Sequence, residues 1–491
     1  MIAVDRKATK PLHKQIYDAF RAMIVGRSLD SGQQVPSTRA LAAELRISRI
    51  PVLTAYAQLL AEGYFEARVG AGTFICSSLP EQMTSSARRA TSTAQVRSGS
   101  RPVARRTMLL PPYETFPWVR GFGAFSVSHP AFDQFPFKVW SSIVMRHCRS
   151  PQPTALQYGG PMGIEPLREA ICTYLRTARA VHCDPNQIMI VTGSQQALEI
   201  SARVLLDVGS PVWVEEPGYW LTRHVLTAAG CRLIPVKVDT EGMDVAAGIK
   251  LCRKARAVYV APSHQYPLGA TMSASRRLQL LDWVQSSGSW IIEDDYDSEY
   301  RYGSMPIASL QGLDNHSRVI YIGTISKTLF PSLRLGYMVI PPDLVDRFAA
   351  VRHAADIGPP YFYQAVVTDF INDGHFGRHI RRMRLLYGQR RTALVECLRK
   401  EFGSTLDVLG AEAGMHLAVT LPPGFRDQEL ATRAAREKLW LWPLSPCYLG
   451  ETSRQGFILG FGSTKETEIP NAVRQLKGLL MGRTVGLKMS I

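Results

Sequence analysis

The feature that most constrains this chain is a series of short apolar runs, many of them β-branched, each breaking off into a polar loop. Gln187 to Thr192 runs into Gly193-Ser194-Gln195-Gln196 and then a helical pattern from Ala197 to Leu206. Val212-Trp213-Val214 leads to Glu215-Glu216-Pro217-Gly218-Tyr219, and Ala257 to Ala261 leads to Pro262-Ser263-His264-Gln265. Trp290-Ile291-Ile292 leads to Glu293-Asp294-Asp295-Tyr296, and Val319 to Ile322 leads to Thr324, Ser326 and Lys327. Runs this short, interleaved with helical patterns, predict a parallel sheet in an α/β domain. The ends of parallel strands gather along one edge, where α/β ligands bind.

One such domain does not fill 491 residues, so two or more domains are expected. Three zones are predicted: a patterned segment over 1–78, a linker over 79–110 rich in Ser, Thr, Arg and Ala, and the α/β domain over 111–491. The formal charge of +16 is unevenly spread. Residues 1–76 carry ten Lys/Arg against six Asp/Glu, and residues 77–107 carry six Arg against Glu81 alone. More than half of the excess therefore lies in the first fifth of the chain, which points to a polyanionic partner there. No apolar run approaches the roughly 18 residues of a membrane helix. The start, MIAVDRKATK, has no apolar signal region, so a cytoplasmic location is expected. Eight scattered cysteines without CxxC spacing suggest neither a zinc site nor a disulfide framework.

In the first zone, Leu12, Ile16, Phe20 and Ile24 recur at helical spacing and predict a helix over about 11–26. Ser37 or Thr38 caps a second helix that buries Leu41, Ala42 and Leu45. Ser48 caps a third, with Val52, Ala55, Tyr56, Leu59 and Leu60 on its apolar face. The alternating stretch GYFEARVGAGTFI (63–75) predicts a hairpin whose glycines turn its tip. Helix-turn-helix plus wing is a DNA-reading arrangement, with the start of the third helix in the major groove. The expected DNA contacts are Ser37, Thr38, Arg39, Ser48, Arg49, Thr54 and Tyr56, joined by Arg68, Gly70, Gly72 and Thr73 of the wing. Nearly all of PLHKQIYDAF to GAGTFI resembles a GntR-type winged helix-turn-helix domain. Pro51 departs from it, standing where such domains usually carry a threonine; a first helical turn tolerates it.

The polar loops of the second zone together describe a pocket for a planar, phosphorylated, aldehyde-bearing cofactor. Lys327 forms the Schiff base if its pKa is lowered. Asp294 is the carboxylate that keeps a pyridinium protonated. Tyr296 bonds the ring phenolate and Tyr219 stacks on the ring. Gly193, Ser194, Gln195, Thr324 and Arg334 hold the phosphate. Ser326 and His264 complete the expected contacts, and no metal is expected. A magnesium site at Glu293, Asp294 and Asp297 is the rival, but a hard-cation site has no use for the lysine.

LQYGGPMGIEPLREAI (156–171), TGSQQAL, EEPGYW, IIEDDYDSEY and SKTLFPSLRLGY together resemble pyridoxal 5'-phosphate enzymes of fold type I, the aminotransferase family. The two domains in this order resemble the MocR/GabR subfamily of GntR regulators over essentially the whole chain. That resemblance implies an aldimine lysine at Lys327, with Asp294 at the pyridinium and Tyr296 at the phenolate. It implies Arg334 and Thr324 at the phosphate, and a head-to-tail, domain-swapped homodimer on double-stranded operator DNA. It also implies that the aminotransferase-like domain senses a small-molecule effector, an amine or amino acid. Two departures from true aminotransferases stand out. Their Asn-Pro-x-Gly turn is Tyr266-Pro267-Leu268-Gly269 here, and FILGFG (457–462) lacks their carboxylate-clamping arginine, with Arg454 three residues before it. The alternatives are a working aminotransferase with a tethered DNA-binding domain, or a regulator that senses the cofactor itself.

Overall fold

The computed structural model describes residues 2–26, 28–68, 70–76, 103–111, 113, 115–119, 121–151, 153–303 and 307–482. The chain divides into two compact units, Met1–Pro102 and Val103–Ile491. The expected linker lies mostly outside the described residues. Its described end belongs to the larger unit, where Arg105–Leu109 forms a 3₁₀ turn.

In the smaller unit, α1 (Leu12–Val25) buries Ile16, Phe20 and Ile24, one residue per turn on a single face. Next come α2 (Thr38–Glu44) and α3 (Arg49–Ala61). The Ser37 hydroxyl accepts the Ala40 N–H at 3.1 Å, the bond that an N-cap makes. Ser48 occupies the N-cap position of α3, but its side chain makes no capping bond. β1 (Phe65–Arg68) and β2 (Gly72–Ile75) pair antiparallel as the wing, Phe65 opposite Ile75. Phe20, Tyr56 and Phe65 meet edge to face, with centroids 5.1–5.5 Å apart. The Tyr56 hydroxyl donates to the Pro36 carbonyl at 2.8 Å.

The larger unit is built on an eight-stranded sheet. Its strands are β3 (Ile188–Val191), β4 (Pro211–Glu216), β5 (Arg232–Asp239), β6 (Gly242–Met243), β7 (Ala257–Val260), β8 (Trp290–Asp295), β9 (Val319–Thr324) and β10 (Gly336–Val339). They lie in the order β3-β10-β9-β8-β7-β4-β5-β6. β5, β4, β7, β8 and β9 run parallel, while β10 is antiparallel to both β9 and β3. β3, β7, β8 and β9 are buried at every position, which is why they read as continuous runs rather than alternating ones. After the long helix His375–Phe402, a four-stranded antiparallel sheet follows: β11 (Asp407–Leu409), β12 (His416–Thr420), β13 (Trp442–Pro443) and β14 (Gly456–Gly460). Among the described residues, no helix is long and apolar enough to cross a membrane.

One boundary differs in a way that matters. The acidic residues expected to form a loop after Ile292 are still strand, because β8 continues through Asp295. Side chains alternate along a strand, so Asp294 faces one way and Glu293 and Asp295 the other. Glu293 accepts the N–H groups of Leu310 and Gln311 at 2.8 and 2.9 Å. Asp295 pairs with Arg179 at 2.8 Å and accepts the Tyr321 hydroxyl at 2.5 Å. Tertiary partners thus hold carboxylates inside the sheet that local polarity assigns to a loop.

Loss of the Ser37 cap gives a direct test of the smaller unit. Ser37→Ala is expected to lower its stability by about 1 kcal/mol, measured by urea denaturation and followed by far-ultraviolet circular dichroism.

Candidate functional site

One pocket opens at the carboxyl edge of the parallel strands. Gly193, Ser194, Gln195, Tyr219, Asp294, Tyr296, Thr324, Ser326, Lys327 and Arg334 all line it. β3 delivers Gly193 and, past it, the helix Ser194–Leu205, whose first N–H groups have no partner within the helix. Gly193 sits at φ 116°, and a Cβ there would lie 3.3 Å from the Arg334 guanidinium. Arg334 is itself left-handed (φ 51°), where it closes the 3₁₀ turn Pro331–Leu333. Guanidinium, helix start and the Ser194, Thr324 and Ser326 hydroxyls share the pocket wall, an anion-binding arrangement that fits a phosphate.

Asp294 enters from β8 and is buried. Tyr259, on the neighbouring β7, donates a short hydrogen bond to its Oδ2, and its Oδ1 has no partner. Burial pushes this carboxyl up to about 6; the Tyr259 bond opposes that, the Asp295 charge adds to it, and the Lys327 ammonium opposes it. An orphaned carboxylate oxygen facing a cavity fits a protonated ring nitrogen. Lys327 follows β9, and burial draws its amine down from 10.5 to about 8, against the upward pull of Asp297 and Asp294. The amine is thus primed for carbonyl chemistry. The residues present fit pyridoxal phosphate at its ring nitrogen, aldehyde and phosphate.

His264 departs from the expectation: it does not line the pocket. It is buried behind Tyr296, with Nδ1 3.1 Å from Asp297 and 3.2 Å from the Tyr296 hydroxyl. The rival magnesium site is not assembled, since Glu293 points away and both its oxygens are engaged. His264, Asp297 and His416 form the one close group of potential metal donors among the described residues. Within it the His264 Nδ1 bonds the Asp297 carboxylate.

Sequence reasoning missed Tyr259, Glu215 and Tyr266, which also line the pocket. Tyr259 sits inside an apolar strand, where only the register to Asp294 gives it away. Burial pushes Glu215 up to about 8, leaving it largely protonated at neutral pH. Tyr266, in the place of the usual turn asparagine, packs edge-on against Tyr219 with centroids 5.3 Å apart. Arg454 lines a different groove, with Asp407, Thr420 and Gln455.

On the smaller unit, Arg39, Ser48, Arg49 and Thr54 are exposed. Arg49 donates to the Thr38 hydroxyl at 3.0 Å, and Thr54 to the Ile50 carbonyl at 3.1 Å. Tyr56 is a correction: it is buried in the aromatic core and offers no surface to DNA. Arg68 is bonded to Glu66 at 2.8 Å and lies over the Phe74 ring, so its charge is partly spent within the wing. Gly70 and Gly72 turn the wing tip at φ 78° and 111°, and Thr73 is half-buried. Ile50, at the start of α3, is 72% exposed, off the helical face set by Val52, Ala55 and Leu59.

Residues 12–75 match the family model of bacterial regulatory proteins, gntR family, and residues 125–474 match that of aminotransferase class I and II. The chain is 36% identical to the probable rhizopine catabolism regulatory protein MocR of Rhizobium meliloti, over 98% of this chain and 96% of that protein. It is 30% identical to the HTH-type transcriptional regulator TauR of Rhodobacter capsulatus, over 91% of each. Among solved structures it resembles LysN, the α-aminoadipate aminotransferase of Thermus thermophilus, in complex with N-(5'-phosphopyridoxyl)-L-leucine. The TM-score is 0.69 and the identity 28%, covering 75% of this chain and 94% of that one. Fold and pocket thus define a pyridoxal-phosphate protein of fold type I joined to a winged helix-turn-helix domain. The chain belongs to the MocR/GabR subfamily of GntR transcription regulators, which bind DNA and depend on pyridoxal phosphate.

The lowered Lys327 amine has a measurable consequence. It is an ammonium below its midpoint and a nucleophile above it. In cofactor-free protein its labelling by an amine-directed reagent should rise through about pH 8 rather than 10.5, followed at this residue by mass spectrometry.

Proposed function

We propose that this regulator senses a small amine or amino acid through its cofactor pocket and transmits the outcome to its winged domain as a homodimer. The observation that carries the reading is the convergence of the Lys327 amine, the unpaired Asp294 oxygen and the Arg334 anion site on one pocket. In this reading, Arg334, Ser194, Gln195, Thr324 and Ser326 hold the phosphate over the helix start and Gly193. Tyr219 covers one ring face, and Asp294, steadied by Tyr259, faces the ring nitrogen. Bound pyridoxal phosphate supplies an aldehyde that amines compete for and a ring that withdraws electrons. Lys327 would hold that aldehyde at rest and would be the group an effector amine displaces; the freed lysine, under the influence of Asp297 and Asp294, would take up the proton that the incoming ammonium gives up. Such a change shifts a conformational equilibrium only as far as the effector prefers one state.

Sensing is favoured over turnover because Arg454, the candidate substrate clamp, lies in another groove. The homodimer is supported by the exposed apolar residues Tyr113, Phe122, Leu156 and Tyr158, crowded into one short part of the large unit's sequence. On DNA, Arg39, Arg49, Ser48 and Thr54 are the proposed contacts of the second and third helices, with Ile50 at the base edges.

Two experiments check this. Operator affinity measured by fluorescence anisotropy with and without candidate amines should respond in the wild type, and the response should vanish in Lys327→Ala; an equal response in the variant would sink the lysine's part. Arg49→Gln should weaken operator binding at low salt and reduce the slope of log affinity against log salt by about 1.

A further inference from the structure

Three buried residues behind the pocket wall have no part in holding the cofactor as described: His264, Asp297 and His416. The His264 Nδ1 lies 3.1 Å from each Asp297 carboxylate oxygen and 3.2 Å from the Tyr296 hydroxyl. Asp297 also accepts the Met415 N–H at 3.3 Å. The His264 and His416 rings are 4.7 Å apart, and the Nε2 of each is buried without a partner. Glycine makes room for the pair: a Cβ on Gly414, which is left-handed at φ 71°, would lie 2.2 Å from His264 Nδ1 and 2.4 Å from Asp297 Oδ2.

The chemistry of this contact decides a proton. An imidazole nitrogen facing a carboxylate carries the hydrogen and donates it. With Nδ1–H committed to Asp297, the Tyr296 oxygen beside it is offered a donor, not an acceptor. Its own hydroxyl proton is therefore free to point the other way, into the pocket. Were Nδ1 bare, Tyr296 would donate to it and have nothing to give the cofactor. We propose that His264, its tautomer fixed by Asp297, is a positioning residue that turns the Tyr296 hydroxyl proton toward the ring oxygen of pyridoxal phosphate. The proposal rests on the reading of Tyr296 as the ring-oxygen partner.

The groups facing the pair are Tyr296 and Asp297 beyond β8, Tyr266 on the same loop as His264, and His416 at the start of β12. Burial, then His264 and Lys327, hold His416 well below the usual histidine range, so it adds no competing charge. Asp297 is also the largest upward influence on the Lys327 amine, ahead of Asp294.

The test uses the full-length, cofactor-loaded protein and three substitutions: His264→Leu, His264→Asn and Asp297→Asn. Cofactor content is counted after denaturation, and the pH midpoint of the visible absorption change is recorded. His264→Leu and Asp297→Asn should keep full loading and shift the midpoint by about one pH unit. His264→Asn, whose amide still donates to Asp297, should stay near the wild type. In a Tyr296→Phe background the His264→Leu shift should disappear. An unshifted midpoint at full loading overturns the inference alone, as does an equal shift without Tyr296. Failure of the wild type to retain the cofactor overturns the reading of the pocket, and the inference with it.

Discussion

The larger unit depends on a carboxylate placed where carboxylates are costly. Asp294 sits at the end of a fully buried strand, one oxygen held by Tyr259 and the other unpaired. An unsatisfied buried oxygen destabilises a fold by about 1–3 kcal/mol, so a ligand that satisfies it gains by the same account. β7 and β8 must be adjacent and parallel for Tyr259 to reach it, which ties sheet order to cofactor recognition. Glu293 and Asp295 flank it on the opposite face, each held by its own donors. The acidic triplet is thus three separate solutions to burying charge: Glu293 has both oxygens engaged, Asp295 bonds through Oδ2 alone, and Asp294 keeps an unpaired oxygen in a residue that lines the pocket.

The antiparallel strand β10 solves a second problem. It inserts between β9 and β3 and brings Gly336 against Gly193 and Gly323. A Cβ on Gly336 would lie 2.9 Å from the Gly323 carbonyl and 3.2 Å from the Gly193 Cα. That close backbone approach carries Arg334, two residues upstream, over the start of the helix Ser194–Leu205. The anion site therefore depends on strand packing as well as on the turn that Arg334 closes.

Much of this was legible in the chain itself. The strand runs are short because both faces are buried, and buried strands announce themselves by unbroken apolarity. Gly193, Ser194, Gln195, Tyr219, Asp294, Tyr296, Thr324, Ser326 and Lys327 were readable because each lies at or just past the end of such a run. What escaped was set by tertiary contact. Tyr259 is one more aromatic in an apolar run until β8 is laid beside it. Tyr56 fits both a helix face and a DNA contact, and only the packing of Phe20 and Phe65 decides between them. His264 follows a strand as the true pocket residues do, yet Tyr296 stands in front of it. The acidic residues of β8 were assigned to a loop because nothing local reveals Arg179, Tyr321 or the Leu310 N–H group.

Gly414 bears on how such a site can change over generations. Any side chain there collides with both His264 and Asp297, and the left-handed backbone is itself hostile to other residues. The position cannot be explored one substitution at a time while the histidine and aspartate remain. A lineage that gave up the pair would lose the collision at 414 but keep the cost of the left-handed backbone, and one that kept it would be locked on both counts. The histidine and aspartate should therefore be found only where 414 is glycine.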